Sequence, residues 1–245
     1  MRLLCSVSYK GTNYQGWQKQ KDAPTIQETI ERVLSKILNT EISIQGSGRT
    51  DSGVHAQRQY FHFDINKEVD LGKLRYSVNC LLPKDIFIND IKVVPDDFHA
   101  RFSAKGKKYT YLIRLDERNP FNYELETIIP QEIDINLFIQ AIKMFEGTHN
   151  FQDFTSKEED EDDFIRTIYL VEASYIPETK QLIVNFNGNG FMRYMIRDMV
   201  GTALAVSIHK EDISYITNHL LKKEKREIVP YKAPAEGLYL VDVNY

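Results

Sequence analysis

Apolar residues recur along the chain at two spacings, and the spacing switches repeatedly. "LLCSVSY" (3–9) alternates at period two, as a half-buried strand does. "TIQETIERVLSKIL" (25–38) then sets Ile26, Ile30, Val33, Leu34 and Ile37 at the spacing of one helix face. Thr25 with Glu28 three residues on is a capping box, and Pro24 just before it fits a helix entry. The pattern then predicts a strand ("EISIQ", 41–45), a glycine-rich loop ("GSGRTDSGVHA", 46–56) and a strand ("QYFHFD", 59–64). A helix ("LGKLRYSVNCLL", 71–82) and a strand ("DIFINDIKVV", 85–94) follow.

The second half has the same grammar. "KKYTYLIRL" (107–115) alternates, "DINLFIQAIKMFEG" (134–147) is an amphipathic helix ending at Gly147, and "TIYLVEASYI" and "QLIVNFN" are paired strands. "GFMRYMIRDMVGTALAVSI" (190–208) reads as one long helix and "DISYITNHLLKK" (212–223) as a shorter one, before a last strand in "GLYLVDVNY". The expected fold class is α+β: two similar α/β halves, 1–100 and 101–245, each a mostly antiparallel sheet with helices on one face. A cleft between such halves is a favoured place for a ligand. The likeness of the halves is one of element order, without a repeat in sequence.

Composition changes this picture little. At 245 residues, 42% hydrophobic and 27% charged, the chain has ample material for a core. The apolar run in "MRLLCSVSYK" is too short for a signal-peptide core, and no segment has the length of a membrane span. Cys5 and Cys80 are far apart without CxxC spacing, which fits a reducing cytoplasm and neither a disulfide scaffold nor a zinc site. The six histidines show no HxxxH or HExxH spacing, so no metal is expected. Charge matters more. Six carboxylates stand in one run, "EEDEDD" at 158–163, and without them the formal charge moves from −4 to +2. That run reads as a solvated loop, while Arg101, Lys105, Lys107 and Lys108 cluster, and Arg193 and Arg197 stand close together.

The candidate chemistry lies in a few short runs. Asp51 in "RTDSG" points first to a turn in which it bonds its own backbone; a catalytic role needs a cleft and a nearby cation. Arg49 either supplies that cation or grips a phosphate. Tyr109 and Tyr111 share one strand face beside Lys107 and Lys108, as ordinary sheet packing or as a base-stacking platform. In a helix starting near Gly190, Arg193 and Arg197 share a side; Arg193 reads as snorkelling to water and Arg197 stays open.

Six segments in register, "YKGTNYQGWQKQ", "GSGRTDSGVHA", "LLPKDI", "DDFHARFSAKGKKYTY", "FNGNGFMRYMIRDMVG" and "PAEGLYL", resemble the tRNA pseudouridine synthase A family nearly end to end. The resemblance implies the pseudouridine synthase fold and isomerisation of uridine to pseudouridine at positions 38, 39 and 40 of the tRNA anticodon arm. It implies no metal or organic cofactor, a cytoplasmic homodimer and a tRNA touching both subunits. It carries the catalytic aspartate onto Asp51, the base-flipping arginine onto Arg49, the active-site tyrosine onto Tyr109 and the aspartate's basic partner onto Arg197. The chain departs from the family pattern at Arg58, where glycine is usual, at Ser47 and Ser52, where alanine is commoner, and in the acidic run, expected to point away from RNA. The alternative class is a non-catalytic tRNA-binding or tRNA-folding module with the same basic cleft. It would be expected to lack the aspartate or the arginine of the GRTD loop, and both are present.

Overall fold

The structure is a computed structural model describing residues 1–156, 164–221 and 226–245. The acidic run at 158–163, with the direction expected for it, and Lys222 and Lys223 lie outside the described residues. In chain order the elements begin β1 (Arg2–Tyr9), α1 (Ile26–Leu38), β2 (Gln45–Gly46), β3 (His55–Asp64), α2 (Leu71–Leu81) and β4 (Ile86–Val94). They continue β5 (Gly106–Arg114), β6 (Thr127–Ile128), α3 (Ile135–Lys143), β7 (Gly147–Asn150), β8 (Ile165–Ile176) and β9 (Gln181–Gly188). The last are α4 (Met195–Ser207), α5 (Ser214–Leu221) and β10 (Leu238–Asn244). The chain has an α+β fold made of two compact units, Met1–Lys105 with Tyr239–Tyr245, and Gly106–Leu238. Most of the final strand, read from sequence with the second half, is thus part of the first unit.

In the first unit the strand order is β4-β1-β3-β10. β1 runs antiparallel to β3 and β4, whereas β10 joins β3 in parallel through Tyr239↔His55 and Leu240↔Ala56. Leu3, Leu4, Cys5, Ser6 and Val7 are all buried, so β1 is covered on both faces rather than one. α1 starts where its cap predicts: Thr25 Oγ1 accepts from the Glu28 N–H at 3.4 Å. α1 packs against α2, and α2 against β4.

The strand expected over 41–45 shrinks to Gln45–Gly46. Its alternation is real, since Ile42 and Ile44 are buried, but the backbone bonds α1 instead of a ladder. Ile42 N–H donates to Ser35 Oγ at 2.9 Å, Ile44 N–H donates to Glu31 Oε1 at 3.1 Å, and Ile44 O accepts from Gln27 Nε2 at 3.3 Å. Period two identifies a face to bury, and helix side chains satisfied the polar groups that a neighbouring strand otherwise would.

In the second unit β5, β9, β8 and β7 form the antiparallel order, with β6 parallel to β5. Cross-strand register stacks Tyr109, Tyr111 and Ile113 of β5 opposite Phe186, Val184 and Leu182 of β9, and all six are buried. α3 packs on β8 and on α4. The long helix expected from Gly190 starts only at Met195, because Tyr194 sits in the left-handed region at φ 65° and interrupts the run. Arg193 therefore stands outside the helix, and the shared side expected for it and Arg197 does not exist.

A buried histidine in the first unit predicts a pH effect on stability. His62 of β3 accepts the Ala100 N–H at its Nδ1 (3.2 Å) and meets the His99 ring edge-on at 4.7 Å. Burial, His99 and Arg2 lower its pKa to about 4. The unfolded chain gains a proton as pH falls through the ordinary histidine range and the folded chain does not, so stability declines from about pH 6.5 towards 4. Denaturant midpoints between pH 7 and 4.5 should fall steeply in the wild type and less steeply in His62→Gln.

Candidate active site

The glycine-rich loop is clamped to a second irregular segment, residues 11–17, which carried part of the family resemblance but no assigned role. Trp17 N–H donates to Thr50 O at 3.1 Å, and Gly53 N–H reaches Tyr14 O at 3.4 Å. Tyr9 and Thr50 share a hydroxyl hydrogen bond of 2.8 Å, and Ser52 Oγ donates to Tyr14 O at 3.2 Å. The Gly11 N–H donates to His55 Nδ1 at 2.9 Å, pinning the exit of the loop. On the entry side Ser47 N–H bonds Tyr60 O at 2.7 Å, and its buried hydroxyl bonds Gln59 Oε1 at 2.5 Å. Ser47 thus adds a hydrogen bond where the family pattern has alanine. Between these anchors Val54 N–H closes a turn on Asp51 O at 3.2 Å.

That clamp in turn hangs on α1. A helix N-terminus leaves backbone N–H groups without intrahelical partners. Here Ile26 N–H donates to Gly16 O at 3.2 Å and Gln27 N–H to Trp17 O at 3.0 Å. One chain of hydrogen bonds therefore runs from the helix start through Gly16 and Trp17 to Thr50, the residue before Asp51. Gly16 is required at its place: φ is 82°, and a Cβ would lie 2.6 Å from Thr50 O. Trp17 is buried against Tyr9 and Phe61, so the clamp is anchored in the apolar core. The signal was present in sequence as two glycines flanking aromatic residues in "GTNYQGW", but nothing there says which loop they meet.

Asp51 is half-buried at this turn, and Arg49 is exposed beside it. The Arg49 Nε donates to Gln18 Oε1 at 3.1 Å. The rest of that guanidinium makes no hydrogen bond to the described residues. Arg58, on the strand that leaves the loop, has its guanidinium 3.9 Å from Asp242, so its charge is shared with β10.

Tyr109 and Arg197 belong to the second unit. The two tyrosines of "YTY" differ in role. Tyr111 is fully buried, with its hydroxyl on Thr127 Oγ1 (2.6 Å) and Pro234 O (2.7 Å), and burial raises its pKa. Tyr109 retains 8% exposure and meets Phe191 edge-on, ring centroids 5.2 Å apart. Phe191 falls within the helix expected from Gly190; outside the observed helix it packs against the tyrosine instead.

Arg197 lies in the first turn of α4, where the helix dipole disfavours a cation. It is held by the segment 231–233: Arg197 Nε donates to Ala233 O at 2.7 Å, and Ala233 N–H donates to Arg197 O at 2.9 Å. Gly201, one turn on, makes room for that segment, since a Cβ would lie 2.7 Å from Tyr231 O. Arg197 is thereby tied at both its side chain and its backbone to Ala233.

A family model described as tRNA pseudouridine synthase matches residues 5–103 and 141–245. The tRNA pseudouridine synthase A of Staphylococcus aureus strain MRSA252 is 37% identical over 241 residues, 98% of this chain and 90% of that protein. The protein of the same name from Staphylococcus aureus strain Newman is 36% identical over 241 residues, 98% of this chain and 89% of that one. The solved Cbf5-Nop10-Gar1 complex overlaps 82% of this chain and 54% of its own matching chain, at 18% identity and a TM-score of 0.36, too loosely to carry an argument.

Gly16→Ala is expected to lose about 1–3 kcal/mol of stability from the positive φ and the contact with Thr50 O. Denaturant unfolding measures it. Gly190→Ala is the control, because its Cβ would meet nothing within 4 Å, and it should change stability little.

Proposed function

We propose, from the premise that this chain belongs to the tRNA pseudouridine synthase A family, that it is an enzyme isomerising uridine to pseudouridine at positions 38, 39 and 40 in the anticodon arm of tRNA. In this reading it works in the cytoplasm as a homodimer and needs no cofactor. The observation that carries the reading is the clamp on the loop: Asp51 follows a residue whose carbonyl and hydroxyl are both held, at 3.1 Å by Trp17 and 2.8 Å by Tyr9. A carboxylate whose backbone is fixed before substrate arrives needs little reorganisation at the moment of reaction.

The reaction breaks the N1–C1′ bond, turns the base and joins C5 to C1′. N1 gains a proton and C5 loses one, so atoms balance with no net redox change or hydrolysis. A stacked uridine does not offer its glycosidic carbon to a side chain, so the nucleotide is extruded first. Arg49 takes the vacated space, a role supported by its exposure and by a guanidinium held, among the described residues, only at Nε. Tyr109 packs on the extruded base, supported by its nearly buried ring and the Phe191 edge behind it. Asp51 is the catalytic carboxylate, attacking the base or C1′ or removing the 2′ proton. Arg197 is its basic partner, favouring the ionised form by opposite charge.

Tritium release from C5-labelled uridine in tRNA transcripts tests this. The wild type should release tritium, and Asp51→Asn should lose about a thousandfold or more of that rate. Asp51→Ala should still bind tRNA. Full turnover by either variant would remove Asp51 from the chemistry, and binding without turnover by the wild type would favour a non-catalytic module.

A further inference from the structure

Three cations surround one ring just ahead of α4. The Lys232 ammonium lies 3.8 Å from the Tyr194 ring centroid, the Arg193 guanidinium carbon 4.8 Å and that of Arg197 5.4 Å. Arg193 also donates from Nη2 to the Tyr194 hydroxyl at 3.0 Å. The ring is fixed from below by its own strained backbone, φ 65°, and by its carbonyl, which accepts the Asp198 N–H at 2.9 Å. Arg193 is fixed through its carbonyl, which accepts the Thr155 hydroxyl at 2.9 Å. Lys232 is carried by the same segment that Gly201 admits against α4.

This is a costly way to arrange like charges. An aromatic face attracts cations, but each added cation repels the others, and the positive end of α4 adds to the repulsion. Arg193 and Lys232 are both exposed, and neither forms a salt bridge within the described residues. A non-glycine residue held at positive φ to present a ring to three cations is a strained feature of the kind that persists where a ligand uses it. The ligand that relieves the repulsion is an anion bridging an ammonium and a guanidinium.

We propose that Arg193 and Lys232, spaced by the Tyr194 ring, form a phosphate-binding fork for the tRNA backbone, separate in role from the catalytic carboxylate. The proposal rests on the reading of this protein as a tRNA-modifying enzyme and assigns that substrate a contact by charge rather than by base identity. Such contacts position RNA and weaken steeply with salt as counterions are released.

The test is tRNA affinity across a salt series for wild type, Arg193→Gln/Lys232→Gln, Tyr194→Phe and Tyr194→Leu, with circular dichroism confirming that each folds. The double variant should bind about tenfold more weakly at low salt, with a log–log salt slope shallower by about one to two. Its catalytic loss should fall on KM more than on kcat. Tyr194→Phe keeps the ring and should retain the wild-type slope; Tyr194→Leu should shift it towards the double variant. The control is Lys143→Gln, an exposed lysine at the end of α3, which should leave the slope in place. An unchanged slope in the double variant, or an equal loss in the control, overturns the fork even if the wild type makes pseudouridine. A wild type that binds tRNA but never isomerises uridine overturns the enzymatic reading and leaves the slope measurement standing.

Discussion

The first unit depends on backbone groups of two irregular segments satisfying one another. Residues 11–17 and 47–54 lie outside the regular strands and helices of the described residues, yet they lie against buried Trp17, Val54 and Ala56, where unpaired N–H and C=O groups are costly. The solution is reciprocal. Helix α1 gives its first free N–H groups to Gly16 and Trp17, and Trp17 gives its own to Thr50. The turn that presents Asp51 is therefore an extension of a helix cap. The facing segment is not loose either: Gly11 and Gly16 are where the two backbones touch, and their missing Cβ atoms permit the contact.

The second unit reaches the same end by different means. Arg197 is held from the side by a returning segment, admitted by Gly201, that exchanges two hydrogen bonds with it. That segment also delivers Lys232 to Tyr194, so one close approach positions both the proposed partner of the carboxylate and the proposed phosphate contact. In both units a glycine with no room for a Cβ sits close to a proposed site residue, and a long-range backbone bond holds Thr50, next to Asp51, in one and Arg197 in the other. This is how positioning is achieved on loops and helix ends, which lack a ladder of their own.

Much of this was legible in the chain. The strands β1, β4, β5 and β9 and the cap of α1 follow from local rules, although packing covers β1 on both faces where its alternation marks one. Where reading failed, a tertiary partner had replaced a local one. Residues 41–45 alternate like a strand but bond to Ser35, Glu31 and Gln27 of α1. Residues 190–194 carry helical spacing, yet Phe191 packs on Tyr109 and Tyr194 turns left-handed, leaving Arg193 off the helix. Of the site, Asp51, Arg49, Tyr109 and Arg197 were marked by resemblance rather than by pattern. The supports Gly16, Trp17 and Gly201 lie inside segments of that resemblance without an assigned role, and Ala233 lies outside them, because what they do consists of contacts with residues far away in sequence.

The central claim is that the Asp51 turn is set before RNA arrives. Amide hydrogen exchange on the free protein measures this most directly, following Trp17, Ser47, Gly53 and Val54. The account predicts that these amides exchange slowly in the absence of tRNA, with protection close to that of the β1–β3 ladder, and gain little on binding. Exchange at the rate of an open loop in the free protein, with protection appearing only when tRNA is added, would contradict it.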